Sequence, residues 1–218
     1  MIIPIIRDYY CDYKIHNKSK IELQAGVTVL VGCNGAGKTT LLHQIQSYCK
    51  KTKIPCFLYD NYKEGGSKMI SKFGFYEDYD NMAYNIMSSE GEQLNNNLAH
   101  IAGELGNFIR SEVTSKNAKE VFILLDAVDS GFSIDNVIEL KQDLFQTVLQ
   151  DLTKDDIIPY IIVSANEYEL ARGEQCFDVI GCKYVTLKTY DSFRKLIIKS
   201  KQQKLKRYGQ GEWNYDAT

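Results

Sequence analysis

None of the six cysteines (11, 33, 49, 56, 176 and 182) stands in a C-x-x-C pair or any other metal-ligand spacing. That excludes the common zinc motifs and leaves reduced thiols in a cytoplasmic protein as the expectation. No apolar run approaches the length of a membrane span, so no membrane partner is expected. The opening MIIPIIRDYY carries neither a basic leader nor an apolar stretch long enough for a signal peptide. Charge of one sign is not in excess either. A net charge of -2 and a pI near 6.0 argue against gross affinity for nucleic acid, although local patches survive such averaging. Internal repeats and long linkers are missing.

What is present is an ordinary globular composition, 44% hydrophobic and 25% charged over 218 residues, enough for one substantial core. The strongest signal is VTVLVGCNGAGKTTLLHQIQSYC (27–49), which reads as a short strand, a glycine-rich turn and an amphipathic helix. It fits G-x-x-x-x-G-K-[ST] through Gly32, Gly37, Lys38 and Thr39. A backbone that curls around phosphate oxygens needs positions without a Cβ. The stretch Asn34, Gly35, Ala36, Gly37, Lys38, Thr39 and Thr40 is therefore the candidate nucleotide-binding loop. Lys38 supplies a point charge to the terminal phosphates, and the Thr39 hydroxyl is a candidate Mg²⁺ ligand. The helix that follows aims its amides and dipole at the same anion.

From there the chain alternates. Segments 55–60, 121–126, 157–165 and 183–187 read as strands, and 133–152 reads as a helix burying Ile134, Val137, Ile138, Leu144 and Val148. Strands alternating with helices predict an α/β fold with a mainly parallel sheet covered on both faces. Residues 13–23 alternate at period two around HNKS, as an antiparallel β hairpin would. Between the second and third strands lies a block of different character, 62–118. Its Leu94, Leu98, Ile101, Leu105, Phe108 and Ile109 fall on one helical face. Ser89 and Glu92 make an S-x-x-E capping box at the start of that helix.

The order GCNGAGKTT, SSEGEQ, ILLDAVDSGFS, IIVSAN resembles the ATP-binding-cassette ATPases, and among them the recombination and chromosome-maintenance type. The resemblance covers most of the chain, to about residue 187, and implies a P-loop NTPase. Residues 1–187 would form the nucleotide-binding domain, and 62–118 a small helical insertion with no coiled-coil arm. In that family two domains close face to face around two ATP molecules, so a homodimer on ATP binding is implied. SSEGEQ looks like the signature that meets the other subunit's nucleotide, with Ser89 and Gly91 in its serine and glycine places. As a capped helix start it is a second anion site in its own right, and as a capping box it could equally do nothing more. Asp126 matches the Mg²⁺-associated carboxylate. Loop 129–133 matches the segment that lies along the dimer interface. Asp60 or Asn61 occupies the place of a glutamine near Mg²⁺ and water, or simply ends a strand. Tyr10 and Tyr13 are candidates for stacking on adenine.

Two departures matter. Ala127 stands where the family has its water-polarising glutamate, and Asn166 stands where it commonly has a histidine on the γ-phosphate. An amide hydrogen-bonds phosphate or water but is no base at neutral pH. Ala127 reads in three ways: as a replacement that traps ATP, as a site where another carboxylate (Asp129 or Glu167) does the work, or as a nucleotide-gated dimer with slow turnover. The paired loss of glutamate and histidine favours a natural, degenerate site. Asp129 and Asn166 are then the candidate catalytic residues. After the last strand, residues 188–208 read as an amphipathic helix with eight basic residues and one acid, its apolar positions being Phe193, Leu196, Ile197 and Leu205. This basic helix and tail, 188–218, is a candidate dock for a partner protein (a nuclease or other effector) or for nucleic acid. The expected function is an ATPase of slow or unconventional hydrolysis, and the alternative is a non-hydrolytic ATP-binding interaction module.

Overall fold

Eight strands and six α-helices organise the computed structural model, which describes residues 1–5, 16–61, 90–130 and 132–208, the side chains of 90–97, 207 and 208 excepted. β1 (Ile2–Pro4) pairs antiparallel with β2 (Lys20–Glu22) as a separate two-stranded ribbon. β3 (Gly26–Val31), β4 (Cys56–Asp60), β5 (Glu120–Asp126), β6 (Ile158–Ser164), β7 (Gln175–Asp178) and β8 (Lys183–Val185) form one sheet in the order β4-β5-β6-β3-β7-β8. Every pairing in that sheet is parallel except β7 with β8. The fold is thus α/β with a mostly parallel six-stranded sheet. Its central strands are apolar on both faces, as burial on both sides requires: Val29, Leu30 and Val31 have no exposed surface, and Val121, Phe122 and Leu124 likewise.

The two faces are covered differently. α1 (Lys38–Thr52) packs Leu41, Leu42, Ile45 and Cys49 on one face, against Leu30, Phe122, Leu124 and Ile162, with Ile3 and Ile21 of the ribbon beside them. Those four residues fall at helical spacing. Burying each of Leu41, Leu42 and Ile45 stabilises the fold by roughly 1.5–3 kcal/mol. The other face, lined by Val29, Val31, Ile123, Leu125 and Val163, lies under several helices. They are α2 (Glu90–Phe108), α3 (Ile134–Glu139), α4 (Thr147–Lys154), the single turn α5 (Tyr168–Ala171) and α6 (Tyr190–Tyr208). Among the described residues no helix is long and apolar enough to cross a membrane.

The expected antiparallel N-terminal ribbon is present, and three other readings differ from the structure. The strand that pairs with 20–22 is Ile2–Pro4, and residues 13–15, the expected other arm, lie outside the described residues. β7 went unread, because four residues of mixed polarity (QCFD) give no periodic signal. The expected helix 133–152 is two α-helices joined by a wider, π-helical segment, Leu140–Gln146. Each wide turn takes an extra residue and rotates the buried stripe. Val137, Leu140, Phe145 and Leu152 are buried, whereas Ile134 is 67% exposed and Ile138 39%. In α6, Phe193 is buried as expected but Leu205 is 59% exposed, and Ser200 takes the next inward place.

Candidate functional site

The parallel strands deliver their last residues to one end of the sheet. β3 ends at Val31 and runs into the glycine loop, while β4 and β5 end side by side, Asp60 in register with Asp126. β6, between β3 and β5, ends at Ser164. Loop ends at the carboxyl edge of a parallel sheet form the usual ligand crevice of such folds.

The loop itself is built by glycine. Gly35 and Gly37 adopt φ of +73° and +94°, left-handed values that side-chain-bearing residues rarely take. Gly37 is the N-cap of α1, and no side chain caps that helix or places an acid in its first turn. Its first-turn amides, including those of Lys38, Thr39 and Thr40, are the orphan donors that every α-helix start carries. Ala36 is buried, Asn34, Gly35 and Thr39 are exposed, and the Ala36 amide donates to the Cys33 carbonyl at 3.0 Å. The Lys38 ammonium turns back to the carbonyl of Gly32 at 3.0 Å. Burial lowers its pKa below the usual lysine value, while the nearby carboxylates of Asp129 and Asp126 act in the opposite direction. Lys38 at the open start of α1 is thus close enough to Asp126 and Asp129 to feel their charges.

Around Asp126 the hydrogen bonds are specific. Ser164 Oγ donates to Asp126 Oδ1 at 2.6 Å and accepts the Ala127 amide at 2.7 Å. Ala127 turns the chain at φ +51°, and Asn61 Nδ2 donates to its carbonyl at 3.0 Å. The turn that carries the glutamate's place is thus pinned from β6 and from the end of β4. Asp129 is 1% exposed. Its Oδ2 accepts the amides of Asn166 and Glu167 at 2.7 and 2.8 Å, and its Oδ1 accepts Asn166 Nδ2 at 3.2 Å. Burial raises its pKa above the usual carboxylate value, with the Glu167 charge adding to the rise, whereas the three backbone hydrogen bonds act to lower it. The two candidate catalytic residues, Asp129 and Asn166, therefore bind each other.

A Mg²⁺ ion would find Asp126, whose other oxygen makes no hydrogen bond among the described residues, and the exposed Thr39 hydroxyl. Among the described residues no three His, Cys, Asp or Glu side chains form a metal-holding group. This donor set suits Mg²⁺, which takes one or two protein ligands and completes its shell with phosphate oxygens and water. Asp60, 7% exposed, stands beside Asp126. Gly91 lies in the first turn of α2, which begins at Glu90. Ser89, Tyr10 and Tyr13 lie outside the described residues.

Residues the sequence did not single out complete the site. Ser164 bridges Asp126 and Ala127, and Ser200 of α6, 1% exposed, accepts the Cys33 amide at 3.0 Å. Lys204 donates to the Asn34 carbonyl at 2.9 Å. A serine at a strand end or in a basic helix carries no signal of its own. The five cysteines among the described residues are free, and burial pushes the Cys176 thiol up to about 11. No protein-family model matches the chain, and no curated protein matches it either.

Proposed function

We propose that the chain is an ATP-binding protein of the cassette ATPase type, which dimerises around Mg-ATP and hydrolyses it slowly. The observation that carries this reading is the glycine loop. Two left-handed glycines lead into an uncapped helix, with Lys38 near Asp126 and Asp129 at the carboxyl edge of the sheet. Such a loop cradles a polyphosphate with backbone amides, and Lys38 neutralises its terminal charge. Its affinity for anions explains why a lysine is kept half-buried at some cost. Asp126 and Thr39 would hold Mg²⁺, which would supply charge neutralisation when bound. Assembly follows from the signature resemblance at Ser89 and Gly91, and from the exposed Ile134 and Ile138 just beyond loop 129–133. The work done by such a switch would fall on a partner protein or a nucleic acid.

A second reading, an ATP-binding module without hydrolysis, is favoured by one observation: the Asp129 carboxylate is already committed to the two amides at 166 and 167. Calorimetry with Mg-ATP and turnover assays test both. Mg-ATP should bind in the micromolar range, and Lys38→Ala should weaken binding strongly. An unaffected Lys38→Ala protein would refute the site. Turnover some 10²- to 10⁴-fold below that of an enzyme with a positioned base supports the first reading. Turnover indistinguishable from the uncatalysed rate supports the second.

A further inference from the structure

The basic helix α6 was read from sequence as a dock for a partner, yet its inner face is turned onto the glycine loop. Buried Ser200 accepts the Cys33 amide at 3.0 Å. On the same peptide unit, the Gly32 carbonyl accepts the Lys38 ammonium at 3.0 Å. In a trans peptide the carbonyl and the amide point in opposite directions from one rigid plane. That plane is therefore gripped from two sides, by the first residue of α1 and by the middle of α6. The packing there is close: a Cβ on Gly32 would lie 3.0 Å from Ala36 Cβ and 3.5 Å from Ser200 Oγ. The Cys33 carbonyl is taken as well, by the Ala36 amide at 3.0 Å. Phe193 anchors the helix, buried in the core cluster that also holds Val29 and Val31 of β3. Between loop and helix lies a cleft of about 470 Å³, with Lys38 and Asn166 among its lining residues.

We propose that Ser200 is a positioning residue of the nucleotide site: it fixes the Gly32–Cys33 peptide plane, and through that plane the resting place of Lys38. This rests on the nucleotide reading given above. A plane held at its amide resists rotation, so its carbonyl stays aimed at the Lys38 ammonium. A phosphate oxygen is a stronger partner for an ammonium than a neutral carbonyl. When phosphate arrives, Lys38 therefore leaves the carbonyl while the loop keeps its shape. Little backbone has to be ordered on binding, and that ordering is the cost which preorganisation removes. Without the hydroxyl, the Cys33 amide is a buried donor that has lost its acceptor, and the loop relaxes to find another. Restoring the bound shape then weakens affinity. Serine suits the place because its short side chain reaches the amide where α6 comes against Gly32. A helix that reads as an appendage to the nucleotide domain thereby becomes part of it.

The test is calorimetry with Mg-ATP on the native full chain, Ser200→Ala, Ser200→Cys and a control at an exposed position of α6, Lys199→Ala, each shown by thermal melting to be folded. Isotope labelling of cysteine nitrogen reads the Cys33 amide by NMR in the same proteins, its resonance assigned by its loss in Cys33→Ala. Ser200→Ala should bind Mg-ATP about threefold to tenfold more weakly, the worth of one neutral hydrogen bond. Its Cys33 amide resonance should move and exchange faster with solvent. Ser200→Cys keeps the volume with a poorer acceptor, so it should fall between native and alanine, and it carries the test should alanine unseat the helix. The control should match the native chain in both readouts. Native affinity in a Ser200→Ala chain whose Cys33 resonance has moved overturns the proposal and leaves the nucleotide site standing. So does weakened binding with an unmoved Cys33 resonance, or equal weakening in the control. A native chain that binds no nucleotide overturns the nucleotide reading itself, and this role with it.

Discussion

Removing the Ser164 hydroxyl by Ser164→Ala takes away two short hydrogen bonds in a place with little water. One is charge-assisted, from Ser164 to Asp126 at 2.6 Å, and the other is accepted from the Ala127 amide at 2.7 Å. A hydrogen bond to a charged group is worth about 1.5–3 kcal/mol, and an orphaned buried donor costs about 1–3 kcal/mol. Ser164 itself is 1% exposed, but Ala127 is only half-buried, so water recovers part of the second term. The expected loss is about 2–4 kcal/mol, or roughly 4–16 °C in Tm for a domain of this size. Urea unfolding and thermal melting measure it directly. A double-mutant cycle with Asp126→Asn isolates the pair, and its coupling should reach about 1 kcal/mol or more. The same variant should weaken Mg-ATP roughly tenfold, since residues that orient a metal's carboxylate carry that much affinity. A loss below about 0.5 kcal/mol, the size of a neutral surface change, would refute the account of how the strand ends are held.

Three further outcomes are expected. Ala127→Glu should raise ATP turnover by about tenfold or more, because it restores a base whose absence costs at least that much; no gain in a folded variant counts against the roles given to Asp126 and Ala127. Asp129→Asn tests burial: the folded pKa is raised, so this group's contribution to stability is full below about 3.8 and is lost as pH rises through its folded value. The variant should therefore gain stability relative to the native chain as pH rises above about 4 in urea titrations, and a difference constant with pH would refute the assignment. ATP should shift the mass in light scattering toward a dimer while ADP does so less, and Ser89→Arg should abolish the shift; a mass indifferent to nucleotide in both proteins would return SSEGEQ to a helix cap.

How much of this was legible depended on whether the signal was local. The loop at 32–40 was readable because glycines at fixed offsets between a strand and a helix encode backbone angles, and Gly35 and Gly37 have those angles. The long apolar strands were readable because burial on both faces makes a continuous run. The ribbon was half-readable, since period-two alternation marks a strand but not its mate, and Ile2–Pro4 comes from far away in sequence. Phase was lost across 140–146, where the wide turns change the residue count per turn, which no periodicity measured at 3.6 reveals. Within the site, Lys38, Asp126 and Asp129 were named from motif order. The Ser164 and Ser200 contacts were not, because each spans 37 residues or more, which only the folded chain brings together.

Asp129 and α6 bear on how binding and cutting divide in this site. A carboxylate that accepts both amides and the side chain of its neighbour orients Asn166; its burial-raised pKa is the one property suited to a base. Asn166 in turn lines the cleft beneath α6, with Lys38 and Lys204. On the proposed reading, the side chains placed to neutralise phosphate charge are thus more numerous than those that could activate water. α6 already stands on one side of the loop, so a dimer of the proposed kind would have to close beside that helix or displace it. Ser200 resists displacement, being buried against the Cys33 amide. For the dimer proposed above, closure beside a fixed helix is the arrangement that keeps this contact intact.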